Sequence, residues 1–396
     1  MRVLFTSLPA TGHLNSLLPL AEGLADAGHM VAIASSRAMS EQIHAAGFEH
    51  LVAGSTSFDA LLAGGPPTTE PDRWKWAQRI AFATRAVESA LPDVERHVGE
   101  WRPDVIVRET AEFAGCLAAE QAGLPHASVA TGSWSARDDR RPVVAEVLQD
   151  WRARLGMPPD PSARMVSRYL SLAFTPPAWD GDAVHPGTAH FIRYTNPRIR
   201  RHARPAWLDE RRDRPLVFAS LGTVQHAAPG VFEAILDAVV GEPVEVVASI
   251  GRDQEAGRFG DVPPNVRIEP FVPQIAVLEQ TSVFITHGGF NSAKEALSLG
   301  VPLVVVPITP EQGYTAERVE ALGMGRRVSP EERTPDVIRA RVREVLADAT
   351  YRSAAGRFAA EMAALPGIDH AVALLEQLAR DGKPIRNGSR VASTRC

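Results

Sequence analysis

Short apolar runs alternating with amphipathic stretches set the grammar of this chain. Val3-Leu4-Phe5-Thr6-Ser7-Leu8 leads into Gly12 and a helical pattern as far as Ala27, closed by Gly28, a residue type favoured just past a helix C-terminus. The same opening returns at Leu216-Val217-Phe218-Ala219-Ser220-Leu221, before Gly222-Thr223. After each opening, β-branched runs alternate with helical patterns: residues 30–34 and 105–107 in the first half, 244–250, 283–286 and 303–306 in the second. Such alternation belongs to parallel sheets joined by crossover helices, so the expected fold class is α/β with two Rossmann-like, doubly wound domains. Polar, proline-punctuated stretches at Arg198-Ile199-Arg200-Arg201-His202 and Arg211-Arg212-Asp213-Arg214-Pro215 put the boundary near residue 210. The expected domains are 1–210 and 211–382, with the last helix able to pack back on the first domain and a disordered basic tail at 383–396. Residues 133–197 carry a weaker pattern broken by Pro158-Pro159 and Pro176-Pro177, and are expected to form a lid or acceptor-lining insert.

Composition narrows the class without naming a function. With 396 residues, 45% hydrophobic and 22% charged, the chain has the make-up of a globular protein with two cores, which excludes disordered and fibrous classes. Its net charge of −5, with basic residues spread along the chain, offers no nucleic-acid face. Cys116 and Cys396 support neither a disulfide framework nor a metal site, and fit a reducing, cytoplasmic setting. The opening apolar run reaches Pro9 and Gly12 too soon for a signal peptide or a membrane span, so no stable membrane insertion is expected. Asn387-Gly388-Ser389 matches a glycosylation triplet, read here as fortuitous for want of a signal sequence.

The densest chemical signal is Thr286-His287-Gly288-Gly289-Phe290-Asn291-Ser292-Ala293-Lys294-Glu295, which follows an apolar run and opens a helix ending at Gly300. Glycines let the backbone approach a ligand, and the amides of the following helix N-terminus present donors and a positive dipole end, a place for phosphate. His287, Asn291 and Ser292 add side-chain donors for a diphosphate, and the Glu295 carboxylate can accept from a ribose diol. The bland alternative is that Asn291 and Ser292 merely cap the helix. No G-x-x-x-x-G-K-[ST] occurs and neither glycine-rich turn completes G-x-G-x-x-G, which disfavours kinase-like and dinucleotide enzymes.

His287 to Glu295, preceded by Phe271-Val272-Pro273-Gln274 and followed by Gly300-Val301-Pro302 and Pro310-Glu311-Gln312, resembles the donor-binding signature of family 1 glycosyltransferases of GT-B fold. It is especially similar to bacterial enzymes acting on macrolides, other polyketides and flavonoids. Gly12-His13-Leu14-Asn15 and Pro103-Asp104-Val105-Ile106-Val107 support the resemblance in the first half. The resemblance implies two domains facing a central cleft, and a nucleotide-sugar donor. Phe271, where many relatives carry Trp, would stack on uracil or thymine, with the Val272 backbone at the base edge and Gln274 beside it. Glu295 would hold the ribose; Thr223, His287, Gly289, Asn291 and Ser292 the diphosphate; Glu311 and Gln312 the sugar hydroxyls. His13, next to Gly12, would be the base that deprotonates an acceptor hydroxyl, oriented by Glu109 or, failing that, by the nearby Glu112. Attack opposite the diphosphate would invert the anomeric carbon, with no metal and no further cofactor.

The sequence therefore predicts an inverting transferase that moves a hexose from a UDP- or dTDP-sugar to a hydroxyl of a small hydrophobic natural product. Glucose is expected because Glu311 and Gln312 together offer acceptors and donors to adjacent hydroxyls. The alternatives are a dTDP-deoxysugar transferase of antibiotic biosynthesis and a non-catalytic nucleotide-sugar-binding auxiliary protein. The enzyme would act as a monomer or homodimer. Trp74, Trp76, Phe82, Trp134 and Trp179 are candidates for an apolar acceptor pocket, with core packing the alternative for each.

Overall fold

A computed structural model describes residues 1–66, 72–132, 140–195, 204–209, 213–222, 230–252, 254–260 and 262–388, and divides the chain into two compact units. One unit gathers Met1–Pro66, Lys75–Arg193 and the chain from Leu365 onward; the other is built from Tyr194–Ala364.

The first unit holds a seven-stranded parallel sheet of β1 (Arg2–Thr6), β2 (Met30–Ser35), β3 (Glu49–Val52), β4 (Val105–Glu109), β5 (His126–Val129), β6 (Leu170–Ala173) and β7 (Ala189–Phe191), in the order 3-2-1-4-5-6-7. Its central strands are buried along nearly their whole length, because helices cover both faces of a doubly wound sheet. Strand order reverses between β1 and β4, where Thr6 lies opposite Arg108. In open α/β sheets ligands bind at the carboxyl ends of the strands beside that reversal.

β6 and β7 correct one expectation. The stretch 133–197 is not an insert: its described part contributes the helix Arg140–Arg154 and two strands that extend the sheet. Both strands are short and neighboured by prolines, so their pattern is too brief to announce itself. The last helix, Ile368–Asp381, packs on Thr11–Asp26, with Ile368 so close that a methyl group on Gly23 would lie 2.7 Å from it. The tail expectation is corrected as far as residue 388. Ile385 donates its amide to the Tyr169 carbonyl at 2.8 Å and is buried, while Asn387 donates backbone and side-chain N–H groups to Gly187 and Ala189. Residues 389–396 lie outside the described set.

The second unit repeats the plan with six parallel strands: β8 (Leu216–Ser220), β9 (Glu245–Ser249), β10 (Val266–Glu269), β11 (Val283–Thr286), β12 (Leu303–Val305) and β13 (Gly325–Arg327), ordered 10-9-8-11-12-13. Order reverses between β8 and β11, where Ser220 pairs with Thr286. A core of Val217, Phe232, Ile235, Val246, Ile285, Val304 and Ile338 holds the sheet between its helices. No single helix among the described residues is long and apolar enough to cross a membrane.

Candidate active site

In the first unit the strand reversal carries an acid–base pair. The helix Thr11–Asp26 starts just after β1, and Gly12 and His13 occupy its first turn; Glu109 is the last residue of β4. His13 Nδ1 lies 2.9 Å from Glu109 Oε1, with the carboxylate fully buried and the imidazole about one-fifth exposed. The contact is within charge-assisted hydrogen-bond range but off-axis, as catalytic contacts often are before substrate binds. The other carboxylate oxygen accepts from the Ala111 amide at 2.6 Å, which fixes the carboxylate plane.

Glu112 is differently employed. It accepts from the Thr6 hydroxyl and from the Gly115 amide at 2.9 Å, tying the helix Ala114–Ala122 to the end of β1. Burial pushes its carboxyl pKa up. Of the two carboxylates it is Glu109 that faces His13. No motif marked Arg108, a buried guanidinium that donates to the carbonyls of Glu109, Thr110, Glu112 and Val166 and so braces the loop after β4.

Two rings flank His13: Phe58 at 5.6 Å and Phe82 at 6.2 Å between centroids, themselves 6.0 Å apart and stacked. Phe82 sits on Ala77–Ala86, a run wound as π-helix, a form frequent at functional sites. Trp179 is core; Trp74 and Trp76 are half-buried; Trp134 lies outside the described residues.

In the second unit the loop after β11 is shaped around an imidazole. Gly288 adopts φ +86°, and a Cβ there would come within 2.7 Å of the Val305 side chain and 3.1 Å of the Gln312 carbonyl. His287 lies so close to Gly222 and Gly289 that a Cβ on either would approach its ring to 2.6 and 2.5 Å. Burial lowers its pKa to about 4, and it bonds the Ser220 backbone. A neutral imidazole has one N–H, and here the Ser220 carbonyl takes it. Donation to a phosphate therefore requires a second proton.

Gly289 is the N-cap of the helix Phe290–Ser298 and supplies no side chain, so Asn291 and Ser292 stand inside the first turn and not at the cap. The capping alternative for these two residues thus fails, because the cap position belongs to Gly289, which makes no side-chain cap hydrogen bond. Glu295, one turn further, accepts from Gln274 Nε2 at 2.7 Å and from the Tyr194 hydroxyl at 3.0 Å. Val272 is buried. Phe271 is 41% exposed, with the Arg252 guanidinium 3.8 Å from its ring centroid. A base stacking on Phe271 takes the opposite face or displaces Arg252. Thr223 lies outside the described residues.

Two family profiles match the chain: the N-terminal domain of erythromycin biosynthesis protein CIII-like proteins over residues 22–176, and their C-terminal domain over 233–378. Together they span well over half of it. The chain belongs to the family 1 natural-product glycosyltransferases. It is 29% identical to demethyllactenocin mycarosyltransferase of Streptomyces fradiae, covering 95% of this chain and 86% of that one. With NDP-glycosyltransferase YjiC of Bacillus subtilis it shares 28% identity over 93% and 95%. The solved structure of glycosyltransferase VinC in complex with dTDP aligns at TM-score 0.78 and 28% identity, over 96% of this chain and all of that one.

As a GT-B glycosyltransferase the chain takes its sugar from a nucleotide-sugar donor. Of the sugar-facing pair expected from sequence, Gln312 already has its side-chain oxygen engaged. Gln312 Oε1 accepts from the Ile308 and Thr309 amides at 2.7 and 3.1 Å, starting the helix Pro310–Ala321, so only its amide nitrogen remains for a sugar hydroxyl. The Glu311 side chain lies outside the described set. Sequence reasoning passed over Tyr194, Arg252 and Lys294. A lone tyrosine, arginine or lysine carries no motif, and each acquires meaning only from a partner distant along the chain.

Proposed function

We propose that this glycosyltransferase moves a hexosyl group from a nucleoside-diphosphate sugar to a hydroxyl of a small hydrophobic natural product, with inversion. The observation that carries the proposal is the 2.9 Å pairing of His13 with buried Glu109 at the strand reversal, beside Phe58 and Phe82. His13 takes the acceptor O–H proton as that oxygen attacks the anomeric carbon; the bond to the diphosphate oxygen breaks and its electrons leave with the nucleotide. Glu109 stabilises the imidazolium so formed, and the two rings shield the proton transfer from water. On the donor side, the first-turn amides after Gly289 with Asn291 and Ser292 take the diphosphate, Glu295 the ribose and Phe271 the base. The positive end of the helix offsets leaving-group charge, so the reaction runs without a metal.

For the sugar, the expectation of glucose rested on Glu311 and Gln312 acting as a hydroxyl-reading pair. With Gln312 Oε1 committed to the backbone, Gln312 keeps only its NH₂ for a sugar, which weakens the case for a hydroxyl-rich hexose. The mycarosyl specificity in one relative's name and the dTDP in a structural neighbour favour the same reading. We therefore prefer a dTDP-deoxysugar over UDP-glucose. Wild-type kcat/KM for a dTDP-deoxysugar and for UDP-glucose decides between them: a ratio of about tenfold or more for the deoxysugar is expected, and a preference for glucose refutes the choice. Release of free sugar and nucleotide from donor alone, above background, separates an enzyme from a binding protein.

A further inference from the structure

Lys294 precedes Glu295 on the helix Phe290–Ser298 and is 2% exposed, an unusual place for an ammonium. Its Nζ donates to Asn291 Oδ1 at 3.2 Å and lies over the Tyr194 ring, 4.2 Å from the centroid, with the Phe290 ring at 5.2 Å. Burial brings its pKa down to about 8, so at pH 7 most of it carries charge. The Tyr194 ring that covers Lys294 also sends its hydroxyl to Glu295 Oε1, and Gln274 holds the other carboxylate oxygen.

A buried charge of this kind is stability forgone: an apolar side chain of similar volume is often neutral or stabilising in its place. What the charge provides is direction. Lysine carries donors only, so the Asn291 atom facing it must be oxygen, and the Asn291 NH₂ must turn the other way. Tyr194, fixed over the ammonium by cation–π attraction, in turn fixes Glu295.

We propose that Lys294 is a positioning residue of the donor site, setting Asn291 to present its NH₂ to the diphosphate and, through Tyr194, Glu295 to receive the ribose. The inference rests on the reading of Asn291 and Glu295 as nucleotide ligands. Lys294 touches no substrate; its ligand class is the nucleoside diphosphate, reached through these two neighbours.

The test measures UDP and dTDP affinity by calorimetry, and the unliganded thermal midpoint, in the wild type, Lys294→Met, Asn291→Ala, Glu295→Ala and the Lys294→Met/Asn291→Ala double variant. Lys294→Met should weaken nucleotide binding about tenfold while its midpoint equals or exceeds the wild type's, a split that a merely structural residue does not give. The double variant should bind more weakly than Asn291→Ala by about the loss that Tyr194→Phe gives alone, and by less than the full Lys294→Met factor, because one of the two routes from Lys294 runs through the Asn291 amide. Unchanged binding in Lys294→Met, or single losses that multiply in the double variant, overturns the proposal. If Lys294→Met does not fold, Tyr194→Phe decides: it keeps the ring and loses the hydroxyl, and should weaken UDP binding several-fold; wild-type affinity there overturns the Tyr194 link and with it the proposal. Should Asn291→Ala and Glu295→Ala both bind like wild type, the donor-site reading itself has failed, a result separate from any effect at Lys294.

Discussion

Replacing His13 with alanine removes the proposed base and leaves the second unit's residues untouched. Turnover should fall by about 10²–10⁴-fold while UDP or dTDP affinity stays within about threefold, as measured by single-turnover kinetics and calorimetry. Glu109→Ala should cost less in turnover, because Glu109 orients and stabilises the imidazole and does not react. Glu112→Ala should show itself first as a lowered thermal midpoint, since that carboxylate joins β1 to the next helix. If Glu112→Ala lost turnover as fully as Glu109→Ala at unchanged stability, the division of labour would be wrong. His287 gives a pH signature. Its folded pKa, about 4, lies below the ordinary 6.5, so its contribution to stability is complete above about pH 6.5 and is lost as pH falls toward 4. Thermal midpoints taken between pH 7 and 4.5 should fall more steeply in the wild type than in His287→Asn; parallel curves would show that His287 stays solvated. At this scale the histidines and Glu295 were legible because glycines and apolar runs frame them. The resemblance put Glu109 ahead of Glu112, but the residues alone did not separate them, since the turn after β4 decides which carboxylate meets the helix.

The loops after β1 and β4 hold the His13–Glu109 pair and the loop after β11 surrounds His287; those after β1 and β11 were readable as Gly-containing turns after short apolar strands. Gly288→Ala places a methyl group against Val305 and the Gln312 carbonyl in a left-handed conformation, at a cost of about 1–3 kcal/mol. Nucleotide affinity should drop at least about tenfold as the entry to the helix Phe290–Ser298 shifts; binding unchanged in this variant would show that the loop does not contact the nucleotide. The same uncapped helix end is the reason to expect turnover in excess chelator. Loss of activity restored by magnesium or manganese would contradict that expectation. β6 and β7 escaped the sequence reading because three- and four-residue strands among prolines carry too few positions to show a period. Gln312 escaped it too, although Thr309-Pro310-Glu311-Gln312 carries the capping-box pattern, with Thr at the N-cap, Pro at N1 and Gln at N3.

Across the whole molecule, two sheets with the same reversal in strand order put the His13–Glu109 pair of one half and the proposed phosphate loop of the other each at strand carboxyl ends. The doubly wound class followed from the alternation of apolar runs and helices, and the packing of the last helix back on the first domain was expected from sequence, but its seat against Thr11–Asp26 rests on contacts between residues hundreds of positions apart. The proposed preference for a hydroxyl-poor sugar also belongs at this scale, because it joins a local capping interaction to the likeness with a mycarosyltransferase. The central claim is that a nucleotide-sugar donor and the His13–Glu109 pair together perform transfer to an acceptor hydroxyl. Its most direct test is a mass-read acceptor screen with dTDP- and UDP-sugars, run in parallel on the wild type and His13→Ala with nucleotide affinity measured on both. The account predicts a glycosylated product from the wild type and none above background from His13→Ala at near-equal nucleotide affinity. Product formed by His13→Ala at a rate close to wild type would contradict it.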